Sequence, residues 1–420
     1  MKILWITNIL FPDICKEIGI KAPVTGGWMT SLAKALIRNY PGLDLYVASL
    51  YGENKPLLEK KINNITYYCL PFNEARVTYN KNMEIVWKEI NNKIKPDIVH
   101  IHGTEFPYGL AYLNSTDNHN NIVISIQGLV GAYARYALGG ITKENLYKYR
   151  TIYDYIKSSI FDLQQQMIRQ GKYEVEYLKK IHNVIGRTDW DREHVWAINP
   201  NCKYFFCNEN LRAPFYENRY KWDLHKCNKN TIFLSQAYKP IKGIHKLVEA
   251  MPYILRHYPN THVFVGGYDF TSCNSIYDKL KLSTYGNYVR HLMRTLNVSD
   301  KFTFLGTLNE YQMAEQYQRS HIFVCPSSIE NSPNSLGEAQ LIGTPCIASN
   351  VGGISNMINH NITGILYRFE EYEMLAAGIC KIFSDNEFAN KLSMNGQKEA
   401  QQRHCWDNNA YSTYNIYKII

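Results

Sequence analysis

The sequence predicts an α/β protein built from two Rossmann-like, doubly wound parallel-sheet domains that face a cleft. One observation is an apolar strand at residues 3–7, close to the start of the chain, followed by a loop and a helix. Another is that the same order of strand, loop and helix restarts at residues 231–235, after a polar stretch that reaches Asn230. The length agrees, because 420 residues suffice for two or three domains with cores of their own.

The composition is that of a globular protein in water, with 45% hydrophobic and 20% charged residues. The net charge of +9 fits an anionic ligand, an anionic membrane surface or a nucleic acid, and does not choose among them. The ten cysteines include no CxxC pair, which favours free thiols in a reducing cytosol over disulfides or zinc. The first apolar run is too short for a signal peptide, and no run approaches the roughly 20 residues of a membrane span. We therefore expect a cytoplasmic protein.

Strands and helices alternate through the first half of the chain. The predicted strands are residues 3–7, 43–49, 65–70, 97–103, 122–128, 183–185 and 203–207. The predicted helices are residues 29–39 and 82–94, most of 131–180, and a helix that begins after Thr188. The acids Asp189 and Asp191 are interpreted as first-turn residues favoured by the helix dipole, so we predict no metal site there.

The second half repeats this alternation. The predicted strands are residues 231–235, 262–265, 302–308, 322–325 and 346–349. The predicted helices are residues 244–257, 287–296, 309–320, a short helix from Pro333, 374–383, 386–402 and 405–420.

Polar residues and glycines stand where several predicted strands end. His102 ends one strand and Gln127 ends the next, each followed by glycine. Because ligands of open α/β sheets bind at the carboxyl ends of the strands, both side chains are binding candidates, although a structural role suits His102 equally well. The run Val24-Thr25-Gly26-Gly27 precedes a helix, and its glycines let a backbone approach a phosphate. A tight turn without a ligand is the alternative.

Basic and aromatic residues interleave between residues 131 and 180, with Arg135 among them. One interpretation is the solvated outer face of long helices. The other is a patch that binds an acceptor or an anionic membrane surface. The alternation also suits single-stranded nucleic acid, but no recognition motif supports that function.

The stretch from Glu330 to Glu338 is the strongest candidate site. It follows a buried strand, Ser332 suits a helix N-cap, and Pro333 suits the first helical position. Glu330 then lies on a loop and Glu338 in the first turns of a short helix, whose free N–H groups form an anion site. Two carboxylates beside an anion site suit a ligand with hydroxyls and phosphates, such as a nucleotide-sugar, better than the two-carboxylate site of a glycoside hydrolase.

With this pair, four further motifs resemble glycosyltransferase family 4, the "glycosyl transferases group 1" type with the GT-B fold. They are Lys242-Gly243, Gly306-Thr307-Leu308, Gly343-Thr344-Pro345 and Asn350-Val351-Gly352-Gly353. The resemblance spans nearly the whole chain and is densest between residues 231 and 366. It implies retaining transfer of a sugar from a nucleotide-sugar by a hexosyltransferase-type enzyme (EC 2.4), without an obligatory metal or cofactor.

The resemblance also implies roles for individual residues. The catalytic residues would be Glu330 near the reacting carbon of the donor sugar, Lys242 against the diphosphate leaving group, and His102. Glu338 would accept hydrogen bonds from the ribose hydroxyls. Further residues that would bind the donor are Asn334, Ser335, Leu336, Gly306, Thr307, Leu308, Gln236, Gly26 and Gly27. Residues on the acceptor side would be Gln127, Arg187 and Arg135.

Two positions depart from the family pattern. Gln236 stands about where an arginine precedes the lysine, and Gln127 where a histidine often occurs in the first domain. His102 would take part of the histidine's role. The basic residues that could replace the missing charge are Arg187, Lys239 and Arg212.

The resemblance predicts an N-terminal acceptor-binding domain at residues 1–205, a nucleotide-sugar-binding domain at 206–390, and helices at 391–420 that cross back to the first domain. The expected donor is a UDP-sugar, and the expected acceptor is a glycan or lipid-linked precursor of a bacterial surface polysaccharide such as lipopolysaccharide or capsule. The protein would contact the inner face of the cell membrane peripherally and bind no nucleic acid. The alternatives are a catalytically impaired nucleotide-sugar-binding subunit and a same-fold sugar-nucleotide epimerase or hydrolase.

Overall fold

A computed structural model describes residues 1–23, 26–52, 55–157 and 159–420. Val24 and Thr25, in the loop before the predicted glycine pair, lie outside the described residues. The chain divides into two compact units. The first unit comprises Met1–Ala134, Gln166–Arg212 and His404–Ile420, and the second comprises Arg135–Gln165 and Ala213–Arg403.

The strands occur in the predicted order along the chain, and two further short strands lie at sheet edges. In chain order they are β1 (Lys2–Thr7), β2 (Asp44–Leu50), β3 (Leu58–Ile62), β4 (Ile65–Leu70), β5 (Ile98–His102), β6 (Ile122–Ser125), β7 (Asn183–Gly186), β8 (Lys203–Phe206), β9 (Asn228–Leu234), β10 (His262–Val265), β11 (Phe302–Phe304), β12 (Ser320–Cys325), β13 (Cys346–Ser349) and β14 (Ile365–Tyr367).

The helices connect these strands. In chain order they are α1 (Pro12–Glu17), α2 (Gly27–Asn39), α3 (Asn82–Ile94), α4 (Pro107–Asn114), α5 (Val130–Tyr133), α6 (Lys143–Lys148), α7 (Ile152–Ile156), α8 (Ile160–Lys180), α9 (Asp189–Ile198), α10 (Ile244–His257), α11 (Ile276–Lys281), α12 (Thr284–Thr295), α13 (Glu310–Arg319), α14 (Asn334–Ile342), α15 (Tyr372–Ser384), α16 (Asn386–Arg403) and α17 (Trp406–Ile419).

The first unit holds an eight-stranded sheet in the order β3-β4-β2-β1-β5-β6-β7-β8. All neighbouring strands are parallel except β3, which runs antiparallel to β4. Both faces of the central strand are buried: Leu4 and Ile6 pack in one apolar cluster, whereas Ile3 and Trp5 pack in another. Side chains alternate between the two faces of a strand, so a strand covered on both faces is apolar without interruption.

The second unit holds a six-stranded sheet in the order β11-β10-β9-β12-β13-β14, and every pair is parallel. Its strands therefore deliver their following loops to one edge, which we call the carboxyl edge. The two parallel α/β units agree with the predicted fold class.

The compact units do not coincide with the predicted ranges 1–205, 206–390 and 391–420. The break near the middle falls after Arg212, and α16 belongs to the second unit while α17 belongs to the first. Residues 135–165, predicted as part of the N-terminal domain, belong to the second unit. The helical pattern of this segment indicates its local structure, but not the sheet on which it packs.

The final helix is fixed in the first unit by side chains that meet the centre of the sheet. The indole Nε1 of Trp5 donates a hydrogen bond to the Tyr417 hydroxyl at 3.0 Å, and His100 Nδ1 lies 2.6 Å from the same oxygen. Near the start of the helix, the Trp406 indole donates to the carbonyl of Leu211. The predicted return of Trp406 to the first domain therefore agrees with this packing.

Two local predictions need correction. The helix predicted from Pro333 begins at Asn334, because Pro333 has an extended ψ of 122° and serves as the N-cap residue itself. Ser332 does not cap the helix; its hydroxyl lies 3.5 Å from the sulfur of Met357. By contrast, residues 131–180 are mostly helical, as predicted; they form four separate helices, and a 3-10 turn follows α5.

Candidate functional site

Lys242 and Glu330 form an ion pair at the carboxyl edge of the second sheet. The Lys242 Nζ donates to Glu330 Oε1 at 2.6 Å, although the two residues are 88 positions apart in sequence. Ser327 Oγ donates to the same oxygen at 2.7 Å. The Lys242 side chain is 21% exposed, whereas that of Glu330 is 9% exposed. The pair is thus held from the protein side and reachable from solvent on the lysine side.

The ammonium group of Lys242 keeps its charge in this setting. Burial acts to lower the pKa of Lys242, but the charge and hydrogen bond of Glu330 outweigh it, so the pKa of Lys242 is raised. A permanently charged ammonium can neutralise an anion but cannot act as a base near neutral pH.

Glycines allow the loops that carry Lys242 and Glu330 to approach neighbouring backbone closely. Gly243 has φ +70°, and a Cβ there would stand 1.7 Å from the carbonyl oxygen of Pro326, just ahead of Ser327. Gly352 has φ +53°, and a Cβ there would stand 2.0 Å from the carbonyl oxygen of Glu330. That oxygen accepts a hydrogen bond from the Gly353 N–H at 3.0 Å. The Lys-Gly and Gly-Gly motifs are therefore explained by the close approach of backbones.

Glu338 lies within α14, eight residues after Glu330 in sequence. It is 5% exposed, and its Oε2 lies 3.4 Å from the hydroxyl of the buried Tyr317. At the start of the helix, Asn334 and Ser335 are partly exposed, but Leu336 is buried and its N–H donates to Pro333 O at 3.0 Å. The predicted use of the Leu336 N–H for a phosphate therefore requires opening this turn.

Four predicted donor residues, Gly306, Thr307, Leu308 and Gln236, lie on loops that leave the same edge. Gly306 has φ +72° and pairs with Gly267 through two backbone hydrogen bonds of 2.8 and 3.0 Å. A Cβ on either glycine would meet open space. Thr307 and Gln236 are exposed and Leu308 is partly exposed. These loops are available to a ligand, and the positive φ of Gly306 accounts for its residue type.

The segment that contains Arg135 packs beside the Lys242 loop. Ser328 Oγ donates to the carbonyl of Tyr136 at 3.0 Å, and His245 Nε2 lies 2.9 Å from the carbonyl of Gly139. A Cβ on Gly139 would stand 2.4 Å from Pro240 O. Arg135 itself is exposed and belongs to the second unit, contrary to its predicted place in the N-terminal domain. The residues in the sequence that take part in this packing, and that could have indicated it, are the adjacent Gly139 and Gly140 and His245.

His102 ends β5 in the first unit, as predicted. It is 2% exposed, its ring centroid lies 4.5 Å from that of Trp5 and 5.4 Å from that of Trp28, and neither ring nitrogen has a hydrogen-bond partner among the described residues. Burial, with a contribution from His100, holds the pKa of His102 well below its usual value. His102 is therefore neutral near pH 7 and lines a small cavity together with Trp28 and Ser125.

Arg187 lines the same cavity but is committed to other groups. Its guanidinium forms an ion pair with Glu209 and donates to the carbonyls of Ile126 and Gln127 at 3.2 and 3.0 Å. The side chains of Arg187 and Glu209 are 5% and 8% exposed. The predicted role of Arg187 as a replacement phosphate ligand has no support from these contacts, since the guanidinium is occupied and buried.

The glycine pair lies at the start of α2. Gly26 is the N-cap residue with φ +80°, and a Cβ there would overlap the side chain of Ile9. A Cβ on Gly27 would stand 2.6 Å from Cγ of Arg212. Packing inside the first unit is thus sufficient to explain both glycines, and their phosphate role remains a prediction.

Glu105 was missed by the sequence reasoning. It follows β5, and its Oε2 is shielded from solvent without a hydrogen-bond partner among the described residues. Burial raises the pKa of Glu105 to about 8, and the nearby carboxylate of Glu174 adds to the shift. Glu174 accepts hydrogen bonds from Thr104 and from the N–H groups of Val130 and Gly131. Single acids in loops carry no distinctive pattern in sequence.

The described residues contain no group of three or more His, Cys, Asp or Glu side chains arranged to hold a metal ion. No helix in the described part of the chain is long and apolar enough to span a bilayer.

Comparison with known sequences gives a match in the second half of the chain. Residues 217–399 match the family model described as "Glycosyl transferases group 1". The uncharacterized glycosyltransferase MJ1607 of Methanocaldococcus jannaschii is 31% identical over 178 residues, which is 42% of this chain and 42% of that protein, so the match spans less than half of the relative. The putative glycosyltransferase YtcC of Bacillus subtilis is 22% identical over 413 residues, covering 97% of this chain and 91% of that protein.

Solved structures match over the whole length. Sucrose-phosphate synthase from Thermosynechococcus elongatus has a TM-score of 0.71 at 17% identity, covering 100% of this chain and 98% of that one. Anabaena Alr3699/HepE in complex with UDP-glucose has a TM-score of 0.63 at 13% identity, covering 99% of both chains. The predicted GT-B fold is confirmed, and residues 217–399 are related to glycosyl transferases of group 1.

Proposed function

We propose that this protein is a retaining, metal-independent glycosyltransferase of family 4. It transfers a hexose from a UDP-sugar to a glycan or lipid-linked acceptor of bacterial surface polysaccharide synthesis, at the inner face of the cell membrane. The observation that carries the proposal is the Lys242–Glu330 pair on the carboxyl edge of a parallel sheet, where open α/β sheets bind their ligands.

The chemistry of the pair suits departure of a nucleoside diphosphate. The leaving diphosphate gains negative charge as the bond to the sugar breaks, so a fixed ammonium at Lys242 stabilises the transition state more than the ground state. When a donor binds, the diphosphate competes with Glu330 for the ammonium. Glu330 is then available to accept hydrogen bonds from sugar hydroxyls, while Ser327 keeps its carboxylate oriented.

The other contacts with the nucleotide-sugar would also come from residues at the carboxyl edge of the second sheet. Glu338 would accept hydrogen bonds from the ribose, with Tyr317 holding its carboxylate, and the loop at Gly306 would lie against the base. Support for a UDP-sugar comes from the fold shared with the HepE protein, whose structure was solved with UDP-glucose.

The testing experiment is a calorimetry and thermal-shift panel of UDP, GDP, ADP and their sugars in the presence of a chelator. A donor at about a hundred times its dissociation constant should add roughly 2.7 kcal/mol of stability. Glu338→Gln should weaken binding of that nucleotide, whereas Glu373→Gln, on the exposed surface of α15, should not. Absence of binding by any nucleotide contradicts the proposal. Nucleotide binding that is weak and leads to no turnover favours the catalytically impaired binding subunit, and donor turnover without any acceptor favours the epimerase or hydrolase.

A further inference from the structure

Helix α7 buries its acid and exposes its apolar side chains, the reverse of an ordinary surface helix. Its acid, Asp154, is 5% exposed and accepts hydrogen bonds from the N–H and hydroxyl of Thr284 at 3.3 and 2.6 Å. Its apolar side chains Ile152, Tyr155 and Ile156 are 61%, 72% and 67% exposed. Surface helices normally bury the apolar stripe and expose the acid, so packing within the second unit does not explain this face.

A second helix with the same property lies against the first. Helix α11 contacts α7 within the second unit. On α11, Ile276 is 78% exposed, Tyr277 is 64% exposed and Leu280 is 49% exposed. Groups of exposed apolar residues mark interaction sites, whereas single ones need no explanation. We call these residues the docking face: Ile152, Tyr155, Ile156, Ile276, Tyr277 and Leu280.

Cations surround this face. The Arg150 guanidinium lies 4.6 Å from the ring centroid of Tyr155, and Lys281 Nζ lies 3.8 Å from that of Tyr277. The exposed basic residues on and beside the two helices are Lys148, Arg150, Lys157, Lys279 and Lys281.

The acids nearby do not balance that charge. Asp154 is turned inward to Thr284, and Asp278 accepts hydrogen bonds from Ser272 and from the N–H of Ser275 in its own turn. Glu144 on α6 and Asp162 at the start of α8 are exposed acids, so the segments 143–162 and 275–281 together carry six basic and four acidic side chains, a net charge of +2. The face therefore presents apolar tips within a positive rim.

We propose that the docking face binds the surface of an anionic lipid bilayer. Aliphatic and aromatic side chains enter the region between headgroups and acyl chains, and the lysines and arginine contact the anionic headgroups. The positive rim favours this partner over a second copy of the same face, because two copies would bring like charges together. The inference names the surface for the membrane contact that the proposed function includes, and it rests on that part of the proposed function. Vesicle binding is measured without donor or acceptor, so its failure is distinguishable from a failure of the transfer reaction.

The experiment is co-sedimentation of the full chain with vesicles of phosphatidylglycerol and phosphatidylcholine, and with phosphatidylcholine alone. The wild-type chain should bind the anionic vesicles, and binding should weaken with salt. Lys279→Glu/Lys281→Glu should lower the partition coefficient at least about 25-fold, at about fivefold for each cation removed and more for the two negative charges introduced. Ile152→Ser/Ile156→Ser should lower it by about tenfold or more.

Matched controls use exposed residues of the same unit far from these helices in sequence. They are Ile362→Ser/Met394→Ser and Lys391→Glu/Lys398→Glu, which should bind vesicles like the wild-type chain. Equal loss of binding in the docking-face and control variants overturns the proposal, as does equal binding to neutral and anionic vesicles. A wild-type dimer that becomes a monomer in both docking-face variants, with unchanged vesicle binding, also overturns it in favour of self-association.

Discussion

The two units each hold a basic side chain paired with a glutamate at the ends of parallel strands, but the pairs differ in access. Arg187 and Glu209 in the first unit are 5% and 8% exposed, and the guanidinium also donates to two strand carbonyls. Lys242 in the second unit is 21% exposed, and among the described residues its ammonium bonds to Glu330. The first pair is closed by its surroundings and supports structure. In the second pair, the partly exposed ammonium of Lys242 can still donate hydrogen bonds to a ligand.

The same contrast extends to the neighbouring titratable groups. In the first unit, burial keeps His102 neutral and raises the pKa of Glu105 to about 8, so both groups avoid charge near neutral pH. In the second unit, the pKa of Lys242 is raised and the charge is retained. A side chain that stays charged and partly exposed can stabilise charge in a transition state, whereas a buried side chain that is neutral near pH 7 cannot.

The largest expected effect is on stability, at Arg187. Arg187→Ala should lower the free energy of unfolding by about 3–5 kcal/mol, because it leaves Glu209 buried without its partner. Urea denaturation measures this loss. The control is Arg319→Ala, which breaks an exposed pair with Glu315 and should cost less than about 1 kcal/mol. Adding Glu209→Gln to Arg187→Ala should recover part of the loss; if Arg187→Ala costs no more than Arg319→Ala, the first pair is not structural.

The next effect is on turnover, at Lys242. Lys242→Ala should reduce the turnover number by about 10²- to 10³-fold, because it removes the charge that stabilises the leaving diphosphate. Initial rates of sugar transfer, with the donor identified by the nucleotide panel, measure it. Lys246→Ala is the matched control, since Lys246 pairs with Glu249 at 2.9 Å with similar exposure but is assigned no donor contact. Equal rates for the two variants would contradict the open-pair interpretation.

The effect that is smallest within one pH unit is a pH dependence of stability, from Glu105. The folded pKa is about 8 and the ordinary value 4.5, so between these values the folded protein binds a proton that the unfolded chain releases. Stability should therefore fall as pH rises through this window, by up to about 1.4 kcal/mol per pH unit. Urea denaturation from pH 5 to pH 8 should show that Glu105→Gln removes this part of the slope. Glu387→Gln, exposed on α16, should leave it unchanged; identical slopes for all three proteins would refute the assignment.

The sequence by itself determined the repeated α/β order, most strands and the motifs of the second unit. Apolar strands covered on both faces stand out in sequence because every side chain must be buried, as in β1 and β12. The helices α3 and α10 have the predicted bounds, since their apolar spacing is local. The placement of Glu330, Glu338 and Lys242 on loops and a helix at strand ends followed from the same local signals.

Only the tertiary structure decided which groups meet and which are free. The 2.6 Å contact between Lys242 and Glu330 joins positions 88 residues apart, and the pairing of Arg187 with Glu209 removes a base that the sequence left available. Residues 135–165 belong to the second unit, where Asp154 accepts a hydrogen bond from Thr284 at the start of α12. This contact buries the acid of α7 and leaves its isoleucines exposed to solvent. Local pattern reports burial averaged over a helix or strand, whereas partner choice depends on contacts between distant segments that no local pattern contains.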